Sequence, residues 1–405
     1  MKVVHINAVY RFGSTGMIVE DIHNLSLENG IDSYVVFSES SANKTDIVNG
    51  YKVDGKIGKK LHALLSRING RQGYFSYFST KKLIKHLEKI NPDIVHLHNL
   101  HANYINLNML LDYLGQNNVS TVITLHDCWL YTGGCYHYTG IGCYKWQNNC
   151  NGCPKKRTDL KSHLLDKASS NLNDRKKYFD KINDLVLVGV SNWISNEAKK
   201  SILKDKKHTA IYNGIDTSLF VNTPSDLREQ YGLGDKFVIL GLASKWLNPI
   251  NKDGFDYVRN NLPKDCTFML FGCKEEQIKT LPENVFGIGY VNDKKHLVKL
   301  YSMADVMINC SREDTLSLIN VEPQACGTPV IAYRNTGGAE TVDNICSFSV
   351  DDGDYKSLFE KIMEVKQKTK DSFSENCRKF AFENFDRNKN YQKYIELYEE
   401  IYKQK

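Results

Sequence analysis

The apolar residues of this chain fall in short continuous runs, separated by longer stretches in which they recur at helical spacing. Val3, Val4, His5, Ile6 and Asn7 form the first run, and its lack of alternation predicts a strand buried on both faces. Arg11-Phe12-Gly13-Ser14-Thr15-Gly16 is a glycine turn that opens a helix through about residue 29. Further runs predict strands over 33–37, 93–98, 121–125 and 185–190, with helical segments between them. Such alternation predicts a parallel sheet covered on both faces. A second series follows Pro224-Ser225, which reads as a linker, with strands over 237–242, 267–271, 285–289, 306–309 and 330–332. The last stretch carries Tyr391, Tyr394, Leu397, Tyr398, Ile401 and Tyr402 at the spacing of an amphipathic helix.

A chain of 405 residues is too long for one ordinary core, so the two series predict two α/β domains. Apolar content of 41% and charged content of 25% describe an ordinary globular protein. No run of 18 apolar residues is present to span a bilayer, and the first residues show no secretion signal, so a cytoplasmic location is expected. The net charge of +6 is too small to argue for nucleic acid, although local clusters matter more than the total. One such cluster is Lys56-Ile57-Gly58-Lys59-Lys60-Leu61-His62-Ala63-Leu64-Leu65-Ser66-Arg67-Ile68-Asn69-Gly70-Arg71, followed by Lys81, Lys82 and Lys85. It reads either as a solvated surface helix or as an interfacial helix resting on the anionic lipid of the inner-membrane surface.

Candidate chemistry concentrates in residues 311–340. The run Val306-Met307-Ile308 ends in a polar turn with Glu313 and Asp314, and Glu322 follows eight positions after Asp314. A helix beginning near Ser317 offers unpaired backbone N–H groups, at Leu316, Ser317 and Leu318, and a positive dipole end, a seat for phosphate. An acid on each side of that seat suits a ligand with hydroxyls at both ends and phosphate between them, which describes a nucleotide sugar. His126 lies at the end of a predicted strand, on the ligand side of an open α/β sheet, with Asp127 beside it. His98 and His101, in His96-Leu97-His98-Asn99-Leu100-His101, end the preceding strand, and metal binding by this histidine triplet is a further reading.

Asp314-x7-Glu322, with Glu313 beside it and Ala325-Cys326-Gly327-Thr328-Pro329-Val330 after it, resembles the motif of family 4 retaining glycosyltransferases. Asn213-Gly214-Ile215-Asp216 and the segment from Leu125-His126-Asp127-Cys128-Trp129 to Cys153-Pro154 extend the likeness to bacterial surface-polysaccharide enzymes of the colanic-acid, capsule and O-antigen type. The resemblance implies a GT-B fold, two Rossmann-like doubly wound domains facing a central cleft. It implies an acceptor-binding domain over 1–210, a nucleotide-sugar domain over 211–384, and a helix over 385–405 crossing back to the first domain. It places Glu322 on the ribose hydroxyls, Asp314 and Glu313 on the donor sugar, and main-chain groups at Tyr290 and Val291 on the base. Lys245 and Lys252 fall where the family holds the diphosphate, although Ser244 stands where an Arg is usual. Gly13 and Gly16 would lie near donor phosphate and acceptor, His126 at the donor sugar, and Asp127, His98 and His101 on the acceptor side. The implied reaction moves a sugar from a UDP- or GDP-sugar to a lipid-linked saccharide without a catalytic metal or a side-chain nucleophile. Two other readings are a nucleotide-sugar epimerase of the same fold and a zinc-containing nucleic-acid-binding protein; the acid-rich site and weak net charge argue against the second.

Eleven cysteines, an odd count without a secretion signal, argue against a full disulfide framework. Cys135-x7-Cys143-x6-Cys150-x2-Cys153 forms a four-thiol set in a loop rich in Gly, Tyr and Trp that has little core of its own. A structural Zn²⁺ would fix such a loop; one or two disulfides, or free thiols, are the alternatives.

Overall fold

The first apolar run becomes the strand Lys2–Ile6, paired in parallel with Asp32–Phe37 on one side and Ile94–Leu97 on the other. It is central because both neighbours and both covering layers exclude water from Val3, Val4 and Ile6. In the computed structural model, which describes residues 1–42, 46–53 and 55–405, the chain divides into two units. Unit 1 comprises Met1–Ile211 and Tyr391–Lys405, and unit 2 comprises Tyr212–Asn390.

Among the described residues, the unit 1 sheet runs Gly50–Lys52, Asp32–Phe37, Lys2–Ile6, Ile94–Leu97, Ser120–Leu125, Leu185–Gly189, Lys207–Ala210, all parallel. The unit 2 sheet runs Val285–Gly287, Cys266–Phe271, Phe237–Leu242, Val306–Asn309, Val330–Tyr333, Phe348–Val350, again all parallel. In each sheet the first strand is internal and the strand order reverses beside it. Ligands of open α/β sheets bind outside the carboxyl ends of the strands at that reversal. In unit 2 the reversal separates Phe237–Leu242 from Val306–Asn309, so the loops after Leu242 and Asn309 flank it.

The edge strands Gly50–Lys52 and Phe348–Val350 were not evident in the sequence, because each is too short and too polar to form an apolar run. The final helix, Arg387–Lys403, begins in unit 2 and ends in unit 1. Tyr391, Tyr394, Ile395, Tyr398 and Ile401 share a core with Val3, Ile22, Ile94 and Val188. Two hydroxyls fix the docking: Tyr398 OH lies 2.5 Å from His96 Nδ1, and Tyr394 OH lies 3.0 Å from Thr124 Oγ1. The return from 385 therefore joins unit 1 only from Tyr391 onward.

Candidate active site

The unit 2 turn is built on a buried asparagine network. Asn309, at the end of its strand, donates from Nδ2 to Ser317 Oγ (2.9 Å) and Asn320 Oδ1 (2.7 Å), while its Oδ1 accepts from Ser311 N–H (3.0 Å). Asn320 in turn donates to Thr341 Oγ1 at 2.8 Å. Thr336 clamps the backbone of Asp314, accepting from its N–H at 3.0 Å and donating to its C=O at 2.5 Å. Gly337 N–H adds a second bond to the same carbonyl at 3.0 Å. The turn 311–317 is thus held from both sides before Leu318–Ala325 begins with Ser317 as its cap residue.

Asp314 Oδ1 accepts from Leu316 N–H at 3.3 Å, so that amide is used inside the turn and does not face a ligand, a correction to the expectation above. Asn320 N–H bonds the carbonyl of the cap residue Ser317 at 2.9 Å, which leaves Leu318 and Ile319 as the first-turn N–H groups without an acceptor in their own helix. Glu322 is half-buried, and its Oε2 accepts from Tyr301 OH at 2.9 Å. Burial pushes its carboxyl up to about 7, against the opposing pull of the Tyr301 hydrogen bond and the Lys294 charge. Glu313 is half-buried beside Asp314 on the same turn.

The two expected cations behave differently. Lys245, on the short helix Ala243–Trp246, lies close enough to Cys310 for its charge to counter the upward push of burial on that thiol. Asn251, buried, ties the two strand-end loops together by donating to the carbonyls of Lys245 (3.0 Å) and Cys310 (3.2 Å), and it accepts from Arg312 Nε at 3.2 Å. Lys252 directly follows Asn251, at the start of the helix Lys252–Asn261. Its ammonium pairs with Asp256, one helical turn on, at 2.7 Å, and its side chain is 72% exposed beside Asn248, Phe255 and Arg259. Tyr290 is 79% exposed and lines, with Val291, Tyr231, Asp293 and His296, an open groove of about 330 Å³.

Unit 1 carries its own cluster at the ends of Ile94–Leu97 and Ser120–Leu125. His126 Nε2 lies 3.1 Å from His98 Nδ1, and His98 Nε2 lies 3.5 Å from His5 Nδ1. Burial lowers His126 to about 4 and holds His98 well below its usual value, so both rings are neutral at pH 7. His98 is fully buried and orients the His126 ring; it does not line an acceptor surface, which corrects the expectation. His101 Nε2 and Asp127 Oδ2 are 2.9 Å apart, and Asp127 Oδ1 accepts from Trp129 N–H at 2.8 Å. Burial raises Asp127, but His101 and the Trp129 N–H outweigh it and hold the carboxyl below its usual range. Gly13 has φ of +62° with open space where a Cβ would stand. Gly16 instead packs against Val9 and the Arg11 backbone and shapes the turn.

The cysteine loop folds as three short 3₁₀ turns anchored by buried Arg175, which donates to the carbonyls of Trp129 and Thr132 and stacks 3.9 Å from the Trp129 ring. The Cys135 and Cys153 thiols are hydrogen-bonded, which raises Cys135 and lowers Cys153. Cys150, raised to about 11 by burial, lies within electrostatic reach of Cys143 and Cys153. Among the described residues only His5, His96 and His98 bring three ligand atoms within 4.8 Å of one another, so the four thiols share a neighbourhood without forming a closed ligand set.

Two family models match the chain: Glycosyltransferase Family 4 over residues 27–219 and Glycosyl transferases group 1 over residues 272–384. The chain is a glycosyltransferase with the GT-B fold. The transferase is 23% identical over 363 residues to the putative colanic acid biosynthesis glycosyl transferase WcaC of Escherichia coli (strain K12), covering 84% of this chain and 85% of the relative. A GDP-mannose-dependent phosphatidylinositol monomannoside mannosyltransferase of Mycolicibacterium smegmatis is 28% identical over 153 residues, 32% of this chain and 39% of the relative. Among solved structures, sucrose-phosphate synthase from Thermosynechococcus elongatus superposes on the transferase with a TM-score of 0.71 at 15% identity, covering 100% of both chains. Anabaena HepE in complex with UDP-glucose superposes with a TM-score of 0.65 at 18% identity, covering 99% of this chain and 100% of that one.

Sequence reasoning missed Asn251, Asn309, Tyr301 and Thr336. Each acts through buried hydrogen bonds to distant segments, and no local spacing marks such a residue. The one available signal was the position of Asn309 at the end of an apolar run, where the chain leaves the sheet.

Proposed function

We propose that this glycosyltransferase retains anomeric configuration and moves a sugar from a UDP- or GDP-sugar to a saccharide carried on a lipid, in the synthesis of a bacterial surface polysaccharide. The observation that carries the donor half is the clamped turn 311–317, which holds Asp314, followed by the helix that carries the half-buried Glu322 carboxylate. Glu322 accepts from the vicinal ribose hydroxyls, and Asp314 and Glu313 accept from hydroxyls of the sugar. Ser317 and the first amides of Leu318–Ala325 face the diphosphate, and Lys245 supplies the nearby cation. As the bond from the anomeric carbon to the β-phosphate oxygen breaks, charge grows on that oxygen and these donors stabilise it. The same oxygen takes the proton of the attacking acceptor hydroxyl, and the new bond forms on the face just vacated. The neutral His126 ring, oriented by His98, hydrogen-bonds a sugar hydroxyl.

The surface-polysaccharide assignment is supported by the likeness to WcaC. The UDP-glucose complex of HepE supports a uridine donor, whereas the mycobacterial relative is GDP-mannose-dependent, so both donors belong in the test. Purified protein is incubated with UDP-, GDP- and ADP-sugars and a lipid-linked acceptor, and the anomeric configuration of the product is read by NMR. One donor is expected to turn over with retention, and Asp314→Ala and Glu322→Ala are each expected to lower kcat/KM about 10²-fold or more. Full turnover in both variants contradicts the site, and an inverted product contradicts the mechanism. Sugar isomerised without any acceptor identifies an epimerase instead.

A further inference from the structure

The helix Lys56–Asn69 is amphipathic in the opposite sense to a helix that faces water. Its inward side carries His62 and Ser66, both buried. Gly73 N–H donates to His62 Nε2 at 3.0 Å, which leaves Nδ1 to donate to Ser76 Oγ at 2.7 Å. Its outward side carries Ile57, Leu61, Leu64 and Ile68, all exposed, with Ile57 at 84%. At about 100° per residue these four fall within about 60° of arc, one straight apolar stripe turned to solvent. A surface helix normally turns such a stripe to the core. Single exposed leucines need no explanation, but a continuous stripe does.

The exposed charges on the two helices that flank the stripe are mostly positive; on Lys56–Asn69, Lys59 is, among the described residues, the one paired with an acid, Glu39. Lys60 and Arg67, both exposed, lie along one flank of it. The helix Tyr77–Ile90 buries Leu83, Leu87 and Ile90 and exposes Lys81, Lys82 and Lys85 together with Phe78, which is 80% exposed. The two helix starts adjoin, since a Cβ on Gly55 would lie 3.8 Å from Ser79 Oγ. Residues 55–87 contain eight Lys and Arg and no Asp or Glu, against a net charge of +6 for all 405 residues. The positive charge of this chain is therefore concentrated here.

We propose that this face of unit 1 docks on an anionic lipid bilayer. Ile57, Leu61, Leu64, Ile68 and Phe78 enter the boundary between headgroups and acyl chains, while the flanking lysines and Arg67 meet lipid phosphates. Charge selects the occupant: a second copy of this face would set the five exposed cations Lys60, Arg67, Lys81, Lys82 and Lys85 against the same five. The docking gives a lipid-linked acceptor its approach, and for that purpose alone it rests on the proposed function.

The test sediments the full chain with vesicles of phosphatidylcholine alone or mixed with phosphatidylglycerol. Binding to the anionic vesicles is expected to be at least about tenfold tighter than to the neutral ones. Leu61→Ser/Leu64→Ser/Phe78→Ser and Lys60→Glu/Lys81→Glu/Lys82→Glu are each expected to lose about tenfold or more in binding to anionic vesicles. Circular dichroism melting is expected to match wild type in both, because the altered side chains are exposed. Wild-type protein that ignores anionic vesicles, or apolar-stripe variants that bind like wild type, overturns the proposal. A lipid-free dimer in sedimentation velocity that the stripe variants dissociate also overturns it and assigns the face to a second copy. Nucleotide-sugar turnover on the same preparations separates the two readings: turnover without vesicle binding removes only the docking surface, and vesicle binding without turnover removes only the proposed function.

Discussion

At Glu322, burial and ligand recognition act in opposite directions. Enclosure raises the carboxyl to about 7, whereas hydroxyl donors from a ligand favour the ionised form and lower that value. The bound state then holds fewer protons than the free state, so donor affinity should rise as pH increases through about 7 and level off above it. Calorimetric titration of the nucleotide sugar, whose doubly esterified diphosphate does not titrate between about pH 6 and about pH 8, measures this, and Glu322→Gln should abolish the slope. A pH-independent affinity in wild type would show that the carboxylate is not part of the donor contact. The two lysines give a sharper contrast. Lys245→Ala should lower turnover about 10²-fold, and Lys252→Ala by less than about twofold, because the Lys245 charge reaches Cys310 whereas the Lys252 ammonium is paired with Asp256. Equal losses would restore Lys252 to the site. The acids of the turn were legible because their spacing is local in sequence. The partner of Lys252, Asp256 at i+4, was equally visible in the sequence.

Two loops illustrate what pattern does and does not convey at the level of elements. Gly214 belongs to a string recognised in the sequence, and its physical basis is close packing: a Cβ there would stand 2.3 Å from the Arg387 Cα, where Ile215 pairs with Phe385 and Arg387 through backbone bonds of 2.8 and 3.0 Å. Gly214→Ala should therefore lower stability by about 1–3 kcal/mol, read as a reduced Tm; an unchanged Tm would mean that the two segments separate freely. The cysteine loop was legible as a thiol set but not as a geometry. We propose that Cys135, Cys143, Cys150 and Cys153 draw together around one Zn²⁺, since thiolates in such a loop suit that ion. Metal analysis should find about one zinc per chain, with the four thiols reactive only after chelation. Metal-free protein with four freely reactive thiols, or with disulfides detected by mass, would contradict this.

The two units, taken across the whole molecule, should respond differently to acid. His5 is lowered to about 3, and His23, His62 and His126 to about 4, chiefly by burial, and all four belong to unit 1. Their unfolded value is about 6.5, so below it the unfolded chain binds more protons than the folded one. The stability of unit 1 should thus be complete above about pH 6.5 and decline as pH falls toward about 4. Glu322 in unit 2 works the other way, because its raised value favours the folded state as pH falls below about 7. Scanning calorimetry at several pH values should show a transition that moves down in acid and is lost from His5→Phe/His62→Phe variants in part; a transition insensitive to pH would contradict the buried neutral histidines.

The doubly wound order of each sheet was readable from alternating runs, because strands buried on both faces leave an unbroken apolar signature. The histidine chain was not, since His5 and His96 sit in strands that pattern alone would fill with valine or isoleucine, and His98 directly follows one.

The most direct test of the donor site is a thermal-shift panel of UDP, GDP and ADP and their sugars against wild type and Glu322→Ala. One nucleotide series should raise the wild-type Tm, by an amount set by ligand concentration over Kd, and Glu322→Ala should lose at least about tenfold in apparent affinity for it. An equal shift in wild type and Glu322→Ala would contradict the assignment of the turn 311–322 as the nucleotide-sugar grip.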